Sequence, residues 1–460
     1  MAKSTTTAPS TTARARVRTK SKRLLSAVAM GAVSAVTASV AAAGGAAFAA
    51  PDYPSWNDVE KAKQNESTKQ AEIATLGELL NGLASQAARA VTTAQIAAEA
   101  YRVTQDALDA ATLRETSLSE QAATAEATAA TSKMRAGLIA AHLAKSGASG
   151  LSLNLFLNGN SADDLLSQLG TASKLSEQSE QIYTEAVQDK NAAESLGEQA
   201  ASATEERERL TEESKTTFDA ATASSTAAEA AYNTQQRKSS ELFEQLALLK
   251  DTTAEAERSF HAGEDAAAAA SAFAQAQASA AAIADAAAAQ AVRDTAAAAG
   301  SGSGSGAGSG SGSGSGSVAP SVPATPSPPV ALPNASIVDT ALAFANAQLG
   351  DRYVFGGSGP DAWDCSGLTK AAYAAAGVYI GTHSATNQYN TMASQGKLVS
   401  FAQVQVGDLV FWGSPGNYYH VAIYAGNGQV LEAPNPSSRV RVHSIWSSWA
   451  VAPYVGRPAA

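Results

Sequence analysis

The sequence has a single cysteine in 460 residues, and charged residues make up only 16% of it. One cysteine excludes an internal disulfide framework and any zinc site built from four cysteines. The formal net charge of −10 is opposite to the basic excess of nucleic-acid-binding proteins, so we expect no nucleic-acid partner. Aromatic residues are also scarce, at 6%, and 16 of them lie in the last 126 residues. The chain therefore divides into regions of different composition.

The first 49 residues have the features of a secretory signal. Residues 1–23 contain seven Lys or Arg and no acidic residue, residues 24–50 are uncharged, and Ala47-Phe48-Ala49 forms an A-x-A cleavage site. We expect cleavage after Ala49 and a soluble, secreted mature protein in the cell wall or extracytoplasmic space, because no other long apolar run follows. An uncleaved anchor is the alternative, since the stretch exceeds the roughly 18 residues that span a bilayer. Its Ala, Ser, Thr and Gly content disfavours that alternative.

Residues 51–299 are predicted to form an all-α coiled-coil region, because Ala, Glu, Gln, Ser and Thr dominate there and Pro and Gly are scarce. Apolar residues spaced 3, 4, 3 and 4 apart form an a/d stripe: Ile73, Leu76, Leu80, Leu83 and Ala87. A Ser/Gly-rich break and a capping box at Ser161 and Asp164 predict an antiparallel hairpin with its tip at residues 146–170. The alternative is a plain coiled-coil spacer. The apolar tip either caps the coil or docks a partner.

Residues 300–334 are rich in Gly and Ser and then in Pro, which predicts a flexible, disordered linker. Residues 335–460 have no net charge and hold four of the five Trp, and they are numerous enough to bury a core. The pattern predicts helices over 334–349 and 364–376, then strands over 406–412, 420–425, 429–433 and 451–455. Helices before an antiparallel sheet indicate an α+β domain.

Cys365 opens the second of these predicted helices, in the sequence Asp364-Cys365-Ser366-Gly367. Asp364 can cap the helix, which leaves the thiol in the first turn. Free N–H groups there lower a thiol pKa and can stabilise an oxyanion. Cys365 is therefore a candidate nucleophile, although its position alone is equally compatible with a buried structural cysteine.

A thiolate nucleophile needs a base and a group that orients the base, and His420 and Glu432 lie on two predicted strands joined by Gly426-Asn427-Gly428. A two-residue turn sets position 426 opposite 429 and puts the two side chains on opposite faces. A three-residue loop with Gly428 in a bulge sets 425 opposite 429 and brings both to one face, within diagonal reach. The sequence fits both turns, so a Cys-His-Glu triad requires the second register.

Other candidates for the site are weaker. His383, in a predicted loop, and His443, in a terminal strand or loop, are interpreted as substrate contacts or solvated side chains. Asp408 is interpreted as a turn residue before a strand, and Asn435 is the alternative third member of the triad. The histidine spacing fits no metal site, so we expect neither a metal nor another cofactor.

Four motifs in order resemble the NlpC/p60 cell-wall endopeptidases over about 350–456: Tyr-Val-Phe-Gly-Gly, Asp-Cys-Ser-Gly, Gly-Asp-Leu-Val-Phe, and His-Val-Ala-Ile-Tyr-Ala-Gly-Asn-Gly. The resemblance implies a papain-like fold and a cysteine peptidase that cleaves peptidoglycan stem peptides. By position it makes Cys365 the nucleophile, His420 the general base and Glu432 the third member, a glutamate also found in actinobacterial Rip-like members. It places three more residues in the substrate groove: Tyr353, near the oxyanion, Asp364 and Ser366.

Three positions depart from the usual family pattern. Val406 stands where Pro is usual, Phe355 where Trp is commoner, and Thr382 where Pro usually precedes the residue that is His383 here. None of them coincides with the nucleophile or the base, so they affect the expected groove shape.

The coiled-coil region resembles, more loosely, those of division-linked wall hydrolases regulated by the FtsEX complex, and the segment from Leu151 to Leu169 is like the tip that they present to FtsX. Together the resemblances imply an endopeptidase cutting a γ-D-glutamyl–diamino acid bond in wall remodelling or daughter-cell separation. A non-catalytic scaffold or activator of other wall hydrolases is one alternative, and an acyltransferase or lipid hydrolase is another. Because the nucleophile is tethered to a long hairpin, we also expect the full chain to be autoinhibited.

Overall fold

Long helices make up the N-terminal part of the structure, a computed structural model that describes residues 53–147, 162–300 and 330–460. The predicted signal at 1–49, residues 148–161 of the predicted tip and residues 301–329 of the predicted linker lie outside the described residues. The helices are, in chain order, α1 (Trp56–Lys63), α2 (Glu66–Gly147), α3 (Ala162–Lys250) and α4 (Ala254–Gly300).

Helices α2 and α3 form the predicted antiparallel hairpin. Paired positions run in opposite directions along the two helices: Ser132 with Asp189, Glu115 with Arg207, and Tyr101 with Phe218. Near the open end, the predicted leucine stripe of α2 packs on α3 and α1, with the buried residues Leu76, Leu80, Leu83, Leu242, Leu246, Leu249 and Val59. Each such buried side chain stabilises the fold by about 1.5–3 kcal/mol. Elsewhere alanines line the interface, which lets the helices approach closely but buries less apolar area.

The region predicted as a two-helix hairpin contains a third long helix, α4. The chain leaves α3 at Asp251, whose φ of 55° is left-handed and cannot continue a helix. Glu257 in the first turn of α4 accepts hydrogen bonds from Lys250 at 2.9 Å and Thr252 at 2.7 Å, which fixes the turn. The sequence analysis did not predict the break between α3 and α4, because the amino-acid composition is the same on both sides of it. None of the described helices has both the length and the hydropathy needed to cross a bilayer.

The C-terminal domain is α+β, as predicted. Its elements are α5 (Ala335–Asn346), β1 (Arg352–Tyr353), β2 (Ala362–Trp363), α6 (Cys365–Ala375), α7 (Ala385–Ser394), β3 (Leu398–Ser400), β4 (Leu409–Ser414), β5 (Asn417–Gly426), β6 (Gln429–Glu432), β7 (Arg441–Ser444) and β8 (Tyr454–Gly456). Strands β3-β8-β4-β5-β6-β7 form an antiparallel sheet in that order, and β1 and β2 form a small parallel pair.

Alternating residues of the central strands serve two cores. Leu409 and Phe411 belong to the cluster shared with helices α5, α6 and α7, whereas Val410 and Trp412 belong to the cluster on the other face. Phe273 of α4 packs into this second cluster. The strands are therefore covered on both faces, and α4 covers part of a face that would be exposed to solvent in an isolated sheet.

Helix α7 is an element that the sequence pattern does not predict. Its buried positions include the polar residues Thr386 and Gln388, so the apolar stripe that marks a helix is missing. Ser384 caps the helix by accepting a hydrogen bond from the Asn387 N–H at 3.0 Å. The N-terminus of α7 lies beside the candidate site.

Candidate active site

Cys365 lies at the N-terminus of α6, half-buried. The preceding Asp364 is the N-cap, and its side chain accepts a hydrogen bond from the Gly367 N–H at 2.8 Å. A Cβ on Gly367 would lie 2.2 Å from the carbonyl oxygen of Gly357, so a side chain does not fit. This close approach fixes the first turn of α6 against the preceding loop, with the thiol at its start.

The Asp364 carboxylate joins several parts of the site. It accepts hydrogen bonds from the Gly356 N–H at 3.1 Å, from His383 Nε2 at 2.5 Å and from Arg102 Nη2 at 3.2 Å. Burial would raise the pKa of Asp364, but the hydrogen bond from His383 and the charge of Arg102 hold it below its usual value. Two of the four predicted substrate contacts, Asp364 and His383, are thus bonded to each other, and a further one, Ser366, has its hydroxyl 3.5 Å from the same carboxylate.

His420 and Glu432 lie on the neighbouring strands β5 and β6, and His420 Nε2 is 3.0 Å from Glu432 Oε2. Position 424 pairs with 430 and position 423 with 431. Continuing this register sets 422 opposite 432, which is the register that the proposed triad requires. Both side chains are buried, at 0% and 1% exposed.

Of the two turns that the sequence fits, the structure has the two-residue one, yet it keeps the register that was expected to require the three-residue loop. Asn427 and Gly428 form a two-residue turn with φ values of 53° and 71°, as in type I′ hairpins. The bulge lies before the turn, between Tyr424 and Gly426, where Gly426 has a φ of 95°. A two-residue turn and a one-residue bulge together give the parity that the three-residue loop was predicted to give.

Glu432 is held by three side chains. Besides His420, the Trp446 Nε1–H donates to Oε2 at 3.1 Å and Arg441 Nη2 donates to Oε1 at 3.4 Å. Burial would raise the pKa of Glu432, but these hydrogen bonds and the charge of Arg441 keep it below its usual value. An ionised carboxylate only accepts, so the His420 nitrogen that faces it, Nε2, carries a proton, and Nδ1 is the nitrogen that can act as the base.

Two tryptophans fix the ring of His420. The ring centroids of Trp412 and Trp446 lie 5.1 and 5.4 Å from that of His420, and the two indoles stack on each other at 5.2 Å. Sequence reasoning found the domain rich in aromatics but gave these two residues no place in the site. Trp412 on β4 pairs directly with His420 on β5, so the two side chains lie on the same face of the sheet. This alternation along the strands is the sequence signal that could have placed Trp412 in the site.

The surroundings of Cys365 favour the neutral thiol, so the expected lowering of its pKa by the helix N-terminus is outweighed. Burial raises its pKa above the usual value, and the negative charges of Asp364 and Glu99 raise it further, while backbone N–H groups of Val421 and Ser366 oppose them. Burial likewise raises the pKa of Tyr353, with the charge of Asp364 adding to the effect. Tyr353 therefore keeps its hydroxyl proton. Among the described residues no hydrogen bond joins the Cys365 sulfur to His420.

Helix α2 brings polar side chains to the same site, which the sequence analysis did not foresee. They are spaced 4, 3 and 4 residues apart and so share one helix face: Gln95, Glu99, Arg102 and Asp106. A polar stripe at helical spacing is a sequence signal that could have marked them, although solvated faces of long helices show the same pattern.

The remaining candidates have other roles in the structure. The Asn435 side chain accepts a hydrogen bond from the Ser437 N–H at 3.0 Å, and Glu432 is the carboxylate that contacts His420. Asp408 is more than a turn residue, because it is fully buried in an ion pair with Arg457 at 2.9 Å. His443 is exposed. Within the described ranges no three potential ligands cluster as a metal site would require.

The geometry supplies the parts of a thiol-based acyl transfer. The nucleophile stands at a helix N-terminus, where backbone N–H groups can donate hydrogen bonds to a developing negative charge. The base has one ring nitrogen fixed by a carboxylate and the other facing away from it.

Comparisons with known proteins match the C-terminal domain to one family. Residues 350–456 match the model of the NlpC/P60 family. Over 123 residues the chain is 37% identical to a probable endopeptidase of Corynebacterium glutamicum, covering 27% of this chain and 54% of that protein. Over 153 residues it is 35% identical to the peptidoglycan endopeptidase RipB of Mycobacterium tuberculosis, covering 30% and 61%.

Solved structures add a similar match. The crystal structure of the NlpC/p60 domain of the peptidoglycan hydrolase SagA is 39% identical, and the match covers 26% of this chain and 97% of that one, with a TM-score of 0.23. The chain covers 19% of the length of one curated relative that it matches and 61% of another. At its C-terminus, over residues 350–456, the chain carries a domain of the NlpC/P60 family.

Proposed function

We propose that this chain is a secreted cysteine endopeptidase that cleaves peptidoglycan stem peptides at a γ-D-glutamyl–diamino acid bond. The observation that carries the proposal is the Cys365 thiol at the start of α6, in the same domain as the buried His420–Glu432 pair. Relatives named peptidoglycan endopeptidases support the substrate class.

In the proposed reaction the Cys365 sulfur attacks the carbonyl carbon of the scissile amide, and the thiol proton passes to His420 Nδ1. Glu432 accepts the hydrogen bond from Nε2–H and stabilises the imidazolium cation that forms. The carbonyl oxygen becomes an oxyanion, and the free N–H groups in the first turn of α6 stabilise it. Tyr353, with its phenol proton retained, is the adjacent side-chain donor.

The second half of the reaction releases both products. His420 gives its proton to the nitrogen of the diamino acid, the C–N bond breaks, and the glutamyl group stays on Cys365 as a thioester. A water molecule, deprotonated by His420, then attacks the thioester carbon. The products are the γ-carboxylate of D-glutamate and the regenerated thiol, with no redox step and no cofactor.

The location and cellular role are part of the same proposal. The basic and apolar features of residues 1–49 support export, which brings the enzyme to the wall polymer. A role in wall remodelling or daughter-cell separation, and docking of an FtsEX-like regulator at the segment from Leu151 to Leu169, stay predictions. Most of that segment lies outside the described residues.

The test is a long digestion of purified cell wall with the mature chain and with its Cys365→Ala variant, followed by mass spectrometry of the soluble fragments. We expect the unmodified chain alone to release fragments ending in D-glutamate and fragments beginning with the diamino acid. Identical fragment profiles from the two proteins would refute the proposal. Cuts at another amide would retain the enzyme class and refute the assigned bond.

A further inference from the structure

A cavity of about 620 Å³ lies between α3 and the C-terminal domain. The domain forms one wall with residues 352–355 around β1 and residues 436–439 between β6 and β7. Helix α3 forms the other wall with Phe218, Thr222, Ser225, Thr226 and Glu229. We call this space the arginine cavity, because two arginines, Arg352 and Arg439, belong to the wall from the domain. It is open to solvent at its rim, where both arginines and Glu229 are exposed.

The backbone holds the two arginines next to each other. Arg352 and Arg439 are partners in an antiparallel bridge, and the neighbouring Val440 N–H donates to the carbonyl oxygen of Asp351 at 2.9 Å. Directly opposed residues of an antiparallel pair carry their side chains on the same face. Arg439 Nη1 also donates to the carbonyl oxygen of Gly350 at 2.6 Å, which keeps this side chain beside β1. Two positive charges are therefore concentrated in one wall of the cavity.

No carboxylate of the described residues neutralises these charges. Neither Arg352 nor Arg439 forms an ion pair there, and the Arg352 side chain has no hydrogen-bond partner in that part of the chain. Glu229 lines the opposite wall but lies beyond ion-pair distance of both. Like charges placed opposite each other are unfavourable unless an anion lies between them. A carboxylate can accept paired hydrogen bonds from a guanidinium group, so the wall from the domain favours an anionic ligand.

Tyr353 connects the arginine cavity with the nucleophile. Its side chain is 9% exposed, and within the described ranges its hydroxyl has no hydrogen-bond partner. Burial and the nearby charges of Asp364 and Cys365 raise its pKa, so the hydroxyl keeps its proton and can donate. Ser437 in the same wall has a buried hydroxyl that also lacks a partner. Buried polar groups are normally hydrogen-bonded, so unpartnered hydroxyls beside a cavity indicate that a ligand completes the site.

We propose that the arginine cavity is a subsite for a substrate carboxylate, and that Arg352 and Arg439 select stem peptides with a free carboxyl group over amidated ones. The inference rests on the proposed function, because the cavity adjoins Tyr353, which neighbours the nucleophile. Two carboxylates lie near the proposed cut. One is the α-carboxylate of D-glutamate, which the γ linkage leaves free, and the other is the side-chain carboxylate of a diamino dicarboxylic acid.

The chemistry of amidation explains why the subsite discriminates. A carboxamide has nearly the shape of a carboxylate, so it fits the same volume, but it has no charge to attract the two guanidinium groups. Its NH₂ group also replaces an acceptor by a donor, and arginine side chains are donors only. The rings of Phe218 and Phe355, 5.9 Å apart, border the cavity and can contact the aliphatic part of a peptide side chain. The combination matches a carboxylate on a short apolar stem.

The test is isothermal titration calorimetry of the mature chain carrying Cys365→Ala, which binds peptides without turnover. The probe is the tripeptide L-alanyl-γ-D-glutamyl-diaminopimelic acid with its C-terminal carboxyl blocked as an amide. It is used in three forms: with both remaining carboxyls free, amidated at D-glutamate, and amidated at the side chain of diaminopimelic acid. The cavity is open with α3 packed on the domain, so binding requires no movement of the helices. The variants are Arg352→Ala, Arg352→Ala/Arg439→Ala and, as a control, Arg114→Ala, whose side chain is exposed on α2.

One of the two amidations should weaken binding to the parent by at least about tenfold, the effect of one charge-assisted hydrogen bond, and it identifies which carboxylate occupies the subsite. We expect the preference to fall below about twofold in the double variant and to persist in Arg114→Ala. Arg352→Ala alone, which removes no hydrogen bond of the fold, should reduce the preference if the double variant does not fold. Equal affinity for all three peptides, or no measurable binding of any, would overturn the inference. A preference that survives the loss of both arginines would overturn it too.

Turnover of the same peptides by chains that retain Cys365 separates the two proposals. Arginine-dependent selective binding, without cleavage of any peptide or of purified wall, supports the subsite and refutes the endopeptidase. Cleavage at the γ-D-glutamyl bond with equal kcat/KM for the free and amidated peptides supports the endopeptidase and refutes the subsite. A higher kcat/KM for the free peptide that is lost with Arg352 and Arg439 supports both.

Discussion

The charge state of Glu99, which α2 buries against the start of α7, makes the packing of α2 on the C-terminal domain depend on pH. Burial raises the pKa of Glu99 from 4.5 to about 7, against the opposing hydrogen bonds from Ser384 and Thr386. A folded-state pKa above the unfolded value means that the docked carboxyl keeps a proton that an exposed carboxyl loses. Its contribution to stability is therefore complete below about pH 4.5 and is lost as the pH rises through about 7.

The size of this effect follows from the two pKa values. The gap between 4.5 and about 7 corresponds to about 3 kcal/mol, of which about 2.5 kcal/mol is lost between about pH 5 and about pH 9. Other titratable groups face this region, namely Cys365 on α6, and Asp364 with His383 opposite Arg102. All proteins compared carry Cys365→Ala, which removes the thiol. They differ from one another only at position 99, so the contributions of Asp364, His383 and Arg102 cancel.

The assay is urea unfolding of the mature chain followed by tryptophan fluorescence, which reports on the C-terminal domain because four of the five Trp lie there. Glu99→Gln is neutral at every pH and imitates the protonated carboxyl. We expect it to exceed the parent by less than about 1 kcal/mol near pH 5 and by about 3 kcal/mol near pH 9. Glu120→Gln is the control. A difference between Glu99→Gln and the parent that does not change with pH would refute the reasoning.

Three further outcomes follow from the site and its support. Glu432→Gln removes the charge that stabilises the His420 imidazolium, so we expect kcat for wall cleavage to fall by roughly 10²–10⁴-fold. Asn435→Ala, tested in parallel, should cause a far smaller loss of kcat. Equal losses in the two variants would contradict the assignment of Glu432 as the third member of the triad. Gly367→Ala places a Cβ 2.2 Å from a backbone carbonyl oxygen, so the domain should lose about 1–3 kcal/mol or more, seen as a lower Tm; an unchanged Tm would disprove the close approach. Asp408→Asn weakens the buried pair with Arg457 and should cost about 3–5 kcal/mol in urea unfolding, whereas a loss below about 1 kcal/mol would show that the pair is unimportant.

Local chemistry made several features predictable from the sequence. The start of α6 follows from Asp364, whose side chain can cap only the N–H groups just after it. The hairpin follows from the a/d stripe, since those leucines must face a second helix to be buried. In the His420–Glu432 pair, the sequence restricted the register to two choices.

The features that were not predictable depend on distant parts of the chain. The bulge before the β5–β6 turn is held by contacts outside the hairpin, such as the hydrogen bond from the Gly407 N–H to the Tyr424 carbonyl at 2.9 Å. Helix α7 lacks an apolar stripe, and Glu99, nearly 300 residues earlier, binds its first turn. Polar contacts of this kind leave no periodic signal in the segment that they stabilise.

The contact between Phe273 of α4 and the rings of Phe401 and Tyr424 joins the helical region to the C-terminal domain at a second place. These rings lie 5.6 and 6.3 Å from that of Phe273, and Ser400 also donates to the carbonyl oxygen of Ala280 at 3.2 Å. Tyr424 lies on the same face of the sheet as His420, because residues four apart along a strand share a face. Helices α2 and α4 therefore both pack on the side of the sheet that carries the candidate base, and a substitution that loosens one of them leaves the other holding the domain.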